Sequence, residues 1–326
     1  MKKILIIKHG SLGDIISSTA VIKPARDYYD KSLITILTSG KYVEFFSKSS
    51  FSNSIIIDNR KGLINFLSII NNIIKMKFDL IIDLQNSKRT LIYCLFIRLL
   101  SKTKVSGTHF AAHFKFNYDK KKPPHVVEGL AKQISLLGIQ GLKIPYLNWL
   151  KKENFSIPEL NNKKYFIINP GCSLKNSVKQ WSAKKYSEVC TFLLSINIIP
   201  VVIGEGADIQ IIKEIENFEN RILNLYNQSP LEVIYNLSLK AEGALSNDTG
   251  PAHLIAATKC KIHLVLSSFS NPATVIPQSD NVSFTLLDSI SVQSVPESKL
   301  SPLLTISLLP VISRSFSTTC ILVNLL

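Results

Sequence analysis

The sequence predicts an α/β protein made of two parallel-sheet halves. Short apolar runs alternate with longer amphipathic stretches over residues 4–137 and again over 165–266, and a stretch without periodicity, 139–163, separates the two sets. Strands joined by helical crossovers must run parallel, and a sheet covered on both faces needs continuously apolar strands. At 326 residues the chain is long enough for two domains with a core each, and at 46% hydrophobic residues it is too apolar for extended disorder.

The elements follow in order. Ile4–Lys8 reads as a buried strand, and Asp14–Tyr29 as the helix opened by the turn between them. Leu33–Thr38 is a strand, Lys41–Lys48 a helix and Ser54–Asp58 a strand. Gly62–Met76 is a helix, Asp79–Leu84 a strand and Lys88–Leu100 a helix. Pro123-Pro124 breaks the chain, and His125–Leu137 is a helix stopped by Gly138. Gly141, Pro145, Pro158 and scattered lysines mark 139–163 as a linker. The second set runs Tyr165–Asn169 (strand), Ala183–Ser195 (helix), Ile199–Ile203 (strand), Ala207–Phe218 (helix), Ile222–Leu225 (strand) and Pro230–Leu237 (helix). It closes with Gly243–Ser246 (strand), Gly250–Thr258 (helix) and Lys261–Leu266 (strand). The expected domains are 1–150 and 151–288, both Rossmann-like, with an atypical tail at 289–326. In that tail Ser and Leu dominate, and Glu297, Lys299 and Arg314 are the only charged side chains. Natural divergence, a packed extension and a frame-shifted end all stay open for it.

Lys+Arg 38 against Asp+Glu 23 gives a net charge of +15, which favours anionic partners. No nucleic-acid-binding motif accompanies it, so nucleic acid is not expected. The five cysteines, Cys94, Cys172, Cys190, Cys260 and Cys320, form no Cys-x-x-Cys pair, which points to reduced core thiols and away from a zinc or disulfide frame. The apolar run Ile4 to Ile7 is too short for a secretory signal, and no run is long enough for a spanning helix.

Four strand-to-helix turns carry possible chemistry. Gly10-Ser11-Leu12-Gly13-Asp14 follows the first strand; its glycines permit close backbone approach to a ligand, and a helix N-terminus attracts anions. Asp14 there is equally read as a helix-end residue favoured by the macrodipole. Asn247-Asp248-Thr249-Gly250-Pro251-Ala252-His253 offers Asp248 as a helix cap, the Thr249 and Gly250 N–H groups to a phosphate, and His253 on the Thr249 face. Asn169-Pro170-Gly171-Cys172-Ser173 precedes Lys179-Gln180-Trp181, a cation able to compensate a diphosphate. Gly204-Glu205-Gly206-Ala207-Asp208 places Glu205 and Asp208 where a carboxylate commonly binds a ribose hydroxyl. An ordinary capped helix or solvated turn is the competing reading of each. The segment His113–Lys122 adds Lys115, Lys120, Lys121 and Lys122 among aromatics, either an anion-binding surface or a solvated run.

Together Gly10–Asp14, Lys179-x-Trp181, Asn224-x-x-x-Gln228 and Asp248-Thr249-Gly250-x-x-His253 stand in the order seen in glycosyltransferase family 9, the ADP-heptose:lipopolysaccharide heptosyltransferases. Ser268-x-x-Asn271-Pro272-Ala273 is similar to the family's small-residue turn, and the resemblance covers residues 1–285. It implies a GT-B fold, two Rossmann-like domains facing across a cleft, with the acceptor on the first and the nucleotide sugar on the second. It implies inverting transfer without metal or other cofactor and Asp14 as general base; the basic and aromatic segment with Lys115 and Lys120–Lys122 would suit an anionic acceptor, which Ser11 is also expected to meet. Lys179, Asp248, Thr249, Gly250 and His253, with Ser173, Glu205 and Asp208, would hold the donor. The implied partners are ADP-heptose, an anionic glycolipid and the anionic inner membrane, met by a monomer from its cytoplasmic face. The alternative is a non-catalytic nucleotide-sugar-binding remnant. The sequence departs from the family in its tail and in Ser182, where many members have Pro.

Overall fold

The computed structural model describes residues 1–172, 180–267, 271–272, 276–277 and 279–287, in two compact units, Met1–Trp149 and Leu150–Leu326. Ser173 and Lys179, the turn at Ser268–Ser270 and the tail from Asp288 onward therefore lie outside the described residues.

Unit 1 contains β1 (Lys3–Ile7), α1 (Leu12–Tyr28), β2 (Leu33–Thr38), α2 (Val43–Ser47), β3 (Ser54–Ile57) and α3 (Gly62–Met76). It continues through β4 (Leu80–Asp83), α4 (Lys88–Leu100), β5 (Lys104–Gly107), β6 (Phe114–Lys115) and α5 (Val126–Ser135). The six strands pair in parallel in the order β3-β2-β1-β4-β5-β6. Ile4 to Ile7 of β1 are all fully buried, because helices cover both faces of the central strand. Leu5, Ile7, Ile81 and Val105 meet Ile69, Ile70 and Ile73 of α3 and Tyr93, Cys94 and Ile97 of α4.

α1 is buried almost all round, and Ser18 and Thr19 satisfy their buried hydroxyls on the Ile15 and Ile16 carbonyls, each at 2.7 Å. Pro24 inside α1 has no N–H to give to the Ala20 carbonyl. The Leu142 N–H fills that place at 2.8 Å. Gly141 lies so close to α5 that a Cβ would sit 2.8 Å from Ala131 Cβ. Trp149 packs edge-on against Phe51, ring centroids 4.7 Å apart, and Leu147 is buried. The segment 139–149, expected as linker, is thus packed onto unit 1; its contacts are non-local and leave no periodicity in the sequence.

Unit 2 repeats the plan with β7 (Tyr165–Asn169), α6 (Ala183–Ser195), β8 (Ile199–Gly204), α7 (Ile209–Phe218) and β9 (Leu223–Tyr226). Then come α8 (Leu231–Ser238), β10 (Gly243–Asn247), α9 (Gly250–Ala257), β11 (Ile262–Ser267) and β12 (Val282–Leu287). The order is β12-β11-β10-β7-β8-β9, again all parallel. Its core joins Phe166, Ile168 and Val202 to Tyr186, Val189 and Ile212, with Trp181 edge-on to Tyr186. Strands β5, β6 and β12 were not foreseen: β5 has Val105 as its one large apolar residue, and β6 is two residues long. β12 is an edge strand with Phe284 and Leu286 exposed.

β12 is tied to β11 by a buried imidazole. His263 Nδ1 lies 2.8 Å from Ser283 Oγ and Nε2 lies 3.0 Å from Thr285 Oγ1. Burial pushes its pKa down from 6.5 to about 4. The unfolded chain therefore binds a proton that the folded chain refuses, and stability falls as pH drops from about 6.5 toward 4. The loss at the acid end is roughly 3 kcal/mol for this one group. Melting scans from pH 7 to pH 4.5 should show this decline, and His263→Gln should make it shallower by that group's share.

Candidate active site

Each sheet is entered in its middle, and the chain winds outward on one side before returning to the other. The reversal falls between β1 and β4 in unit 1 and between β7 and β10 in unit 2. Loops leaving the carboxyl ends of such strand pairs diverge, and ligands of open α/β sheets bind there. The Gly10–Asp14 turn, the described part of the Asn169 turn and the Asn247–His253 turn stand at these ends, and the Gly204–Asp208 turn leaves β8, beside β7.

In unit 1, Gly10 adopts φ +116°, a left-handed conformation that favours glycine, and a Cβ on it would lie 2.6 Å from Asp14 Oδ2. The turn thereby folds back onto the first turn of α1. Ser11 is the N-cap, and Asp14 Oδ2 accepts from Ser11 N at 2.8 Å and from Ser11 Oγ at 2.7 Å, while the Asp14 N–H returns to Ser11 Oγ at 3.4 Å. This reciprocal cap fixes the Asp14 side chain. Its hydrogen bonds within the chain fall on Oδ2, which leaves Oδ1 for another group. The cap and general-base readings are thus compatible in one residue.

Buried polar groups that the sequence did not bring forward hold this turn. The His9 N–H donates to Gln85 Oε1 at 3.0 Å, joining the ends of β1 and β4. Lys8 Nζ donates to the Leu84 carbonyl at 3.2 Å, and burial lowers its pKa against the pull of Asp14 and Asp83. Asp58, fully buried at the end of β3, accepts from Arg89 Nε at 3.0 Å and Nη2 at 2.9 Å, from Tyr93 Oη at 2.8 Å and from Arg60 N at 2.8 Å. Burial pushes its carboxyl up, but these donors outweigh that and hold it below the ordinary value. The His9 ring lies 3.6 Å from Asp58, beyond hydrogen-bond length, and burial with Arg60 nearby lowers its pKa to about 4. It is a neutral imidazole at pH 7. The signals for these residues were a carboxylate ending an apolar strand, and Arg89 with Tyr93 four apart on one helix face.

Asp83, Cys94 and His109 each bring one potential metal-ligand atom within 4.8 Å of the others. The imidazole is already used: His109 Nε2 meets Asp83 Oδ2 at 3.2 Å, and burial, aided by Asp83, holds the Cys94 thiol well above its ordinary pKa. The trio is a hydrogen-bonded pair beside a core cysteine. Lys115 sits on the edge strand β6, three strands from β1, and Lys120–Lys122 follow in an exposed turn built on Asp119. The fold does not bring these lysines to the Gly10–Asp14 turn by strand order.

In unit 2 two asparagines do the joining. Asn169 Nδ2 donates to Ser246 Oγ at 2.7 Å and to Thr249 Oγ1 at 2.8 Å; Asn247 Nδ2 donates to the Pro170 carbonyl at 2.9 Å and the Gly171 carbonyl at 3.2 Å. Thr249, not Asp248 as expected, is the N-cap of α9, because Gly250 begins the helix and Pro251 fills its first turn. Asp248, Gly250 and His253 are half-buried around that N-terminus. Asp208 Oδ1 accepts from Cys172 N at 3.3 Å and Oδ2 from Glu205 N at 3.2 Å, an approach that only glycine at 171 permits, since a Cβ there would lie 2.5 Å from Asp208 Oδ2. Burial raises the Asp208 pKa. Asp208 is thus engaged in binding two turns together, and the exposed Glu205 forms a capping box with it. The Asn224 side chain caps its own strand, accepting from Tyr226 N at 2.9 Å.

These geometries gain a context from known proteins. The family model for glycosyltransferase family 9 (heptosyltransferase) matches residues 66–291. The chain is 24% identical over 297 residues to lipopolysaccharide core heptosyltransferase OpsX of Haemophilus influenzae, covering 86% of this chain and 84% of that protein. It is 26% identical over 291 residues to lipooligosaccharide heptosyltransferase 2 of Campylobacter jejuni, covering 85% and 84%. The structure of E. coli heptosyltransferase WaaC with ADP superposes with a TM-score of 0.68 at 14% identity, covering 89% of this chain and 95% of that one, and so shares its GT-B fold. With its two parallel six-stranded sheets and a family match over most of its length, the chain belongs to glycosyltransferase family 9, the heptosyltransferases.

Proposed function

We propose that this glycosyltransferase transfers heptose, with inversion and without a metal ion, from ADP-heptose to an anionic lipopolysaccharide-core acceptor at the cytoplasmic face of the inner membrane. The names of the relatives, a lipopolysaccharide core heptosyltransferase and a lipooligosaccharide heptosyltransferase, and the ADP held by WaaC support this choice of donor and acceptor. The observation that carries it is the Gly10–Asp14 turn, which presents a fixed carboxylate at the β1/β4 switch point.

Residues 1–150 take the acceptor and residues 151–288 the nucleotide sugar. Asp14 Oδ1 accepts the proton of the acceptor hydroxyl as its oxygen attacks the anomeric carbon. The bond from that carbon to the diphosphate breaks, and ADP leaves with the electron pair. The charge that gathers on ADP is met by Lys179, by the N-terminus of α9 at Thr249 and Gly250, and by His253. Asp248 and Ser173 complete the donor-binding set, and Glu205 takes a ribose hydroxyl, with Asp208 holding its turn. Ser11 and the lysines Lys115 and Lys120–Lys122 serve the acceptor's anionic groups.

Two substitutions test this. Lys179→Ala should weaken nucleotide-diphosphate binding by roughly 1.5–3 kcal/mol, read by calorimetry, with a smaller loss for His253→Ala; unaltered affinity in the first removes Lys179 from the donor site. Asp14→Asn keeps an oxygen for the Ser11 N–H but takes no proton. Single-turnover transfer should fall by at least about 10²-fold, while donor affinity and melting midpoint stay near wild type. A variant that melts earlier yet transfers at the wild-type rate makes Asp14 a cap alone.

A further inference from the structure

α3 and α4 lie side by side on one face of the first sheet. They are locked together by Phe66 against Tyr93, ring centroids 5.0 Å apart, and by the Arg89 guanidinium over Phe66 at 5.0 Å. Their inward residues fill the core, and a surface helix of this kind ordinarily turns polar groups outward. Here part of the outward face is apolar as well, beside the exposed Ser68, Asn71, Asn72 and Lys75. Leu63 and Ile64 at the start of α3 are 70% and 87% exposed, and Leu99 and Leu100 at the end of α4 are 80% and 63% exposed. Between them Lys88, Ile92 and Phe96, four apart, form an exposed stripe along α4.

The charge in this part of the sequence is mostly of one sign. From Asn59 to Tyr118 there are ten lysines and arginines, of which Arg89 is paired with Asp58, and two acidic residues, Asp79 and Asp83. Asp83 is fully buried, and Asp79 accepts from the Lys3 N–H at 2.7 Å. Neither α3 nor α4 contains an acidic residue. A face both apolar and basic complements one kind of surface, an anionic bilayer, where apolar side chains enter the headgroup boundary and cations meet lipid phosphates. A second copy meeting it face to face would set cations against cations. Residues 288–326 carry Asp288 and Glu297 against Lys299 and Arg314 and so offer no counter-charge. Among the described residues no helix is long and apolar enough to cross a membrane.

We infer that the outer face of α3 and α4 is the surface by which unit 1 docks on an anionic lipid bilayer, with Leu63, Ile64, Leu99 and Leu100 entering the headgroup region. Both helices begin at the carboxyl edge of the sheet, next to the turns of the candidate site. Docking there sets the Asp14 turn beside the surface from which a lipid-linked acceptor is drawn; this last step rests on the function proposed above, and the docking itself does not.

The full chain should sediment with phosphatidylethanolamine–phosphatidylglycerol vesicles, more weakly as salt is raised, and not with phosphatidylcholine vesicles. Ile64→Glu combined with Leu99→Glu changes two exposed positions and should lower the vesicle-bound fraction by about tenfold or more with an unchanged melting midpoint. The melting shift produced by ADP-heptose, measured on the same samples, should be equal in both proteins. Absent binding, equal binding to both vesicle types or a double variant that binds like wild type overturns the docking surface. A double variant that turns a dimer into a monomer overturns it in favour of a second copy. A donor shift retained alongside any of these outcomes leaves the transferase reading standing, and a donor shift missing from wild type removes that reading alone.

Discussion

Covering a parallel sheet on both faces leaves its central strands little room for polar side chains except at their ends. That constraint orders the molecule. Ile4 to Ile7 are wholly buried, and the chain turns polar as it leaves the sheet, at Lys8, His9, Asp58, Asp83, Asn169 and Asn247, while Thr35 and His263, inside strands, bond to the neighbouring strand. Each of these is buried too, so each has to be matched by a neighbour or kept neutral. The matching runs between strands that are distant in sequence, His9 to Gln85 and Asn247 to Pro170, which is how the two sides of each switch point are held in register. The polar edges where ligands bind and the hydrogen bonds that hold the loops are therefore the same set of residues.

Two glycines show how tightly this is built. Gly10 and Gly171 stand after the central strands of their units, and each is kept free of a Cβ by a carboxylate, Asp14 in one and Asp208 in the other. The carboxylates differ in what remains to them. Asp14 keeps one oxygen outside its cap, whereas Asp208 spends both on backbone N–H groups. The same local device serves presentation of a group in one unit and closure of a loop in the other.

Much of the architecture was legible because β1, β4 and β7 carry short apolar runs, Ile4–Ile7, Leu80–Ile82 and Tyr165–Ile168, that end in polar residues. The element limits shifted by a residue or two, and each of the four candidate turns follows a strand. What escaped was non-local. Val105 alone does not announce β5, and the packing of 139–149 depends on a carbonyl freed by Pro24 more than a hundred residues earlier. Asp58 reads in sequence as a strand-ending acid; only the fold supplies Arg89 and Tyr93 from α4 to make it a hub. The helix cap stands at Thr249 and not at Asp248, and the threonine hydroxyl accepts from Asn169 on another strand, making no cap hydrogen bond of its own.

The buried thiols give the two units separate clocks. Burial raises Cys190 and Cys260 to about 12 and Cys94 well above its ordinary value, so almost none of any of them is thiolate at neutral pH. An alkylating reagent attacks the thiolate, and it reaches these sulfurs only when the surrounding layer opens. Cys94 sits between α4 and the first sheet, while Cys190 and Cys260 belong to the second unit. Alkylation of the native protein, followed residue by residue, therefore reads the opening of one half against the other without any added label.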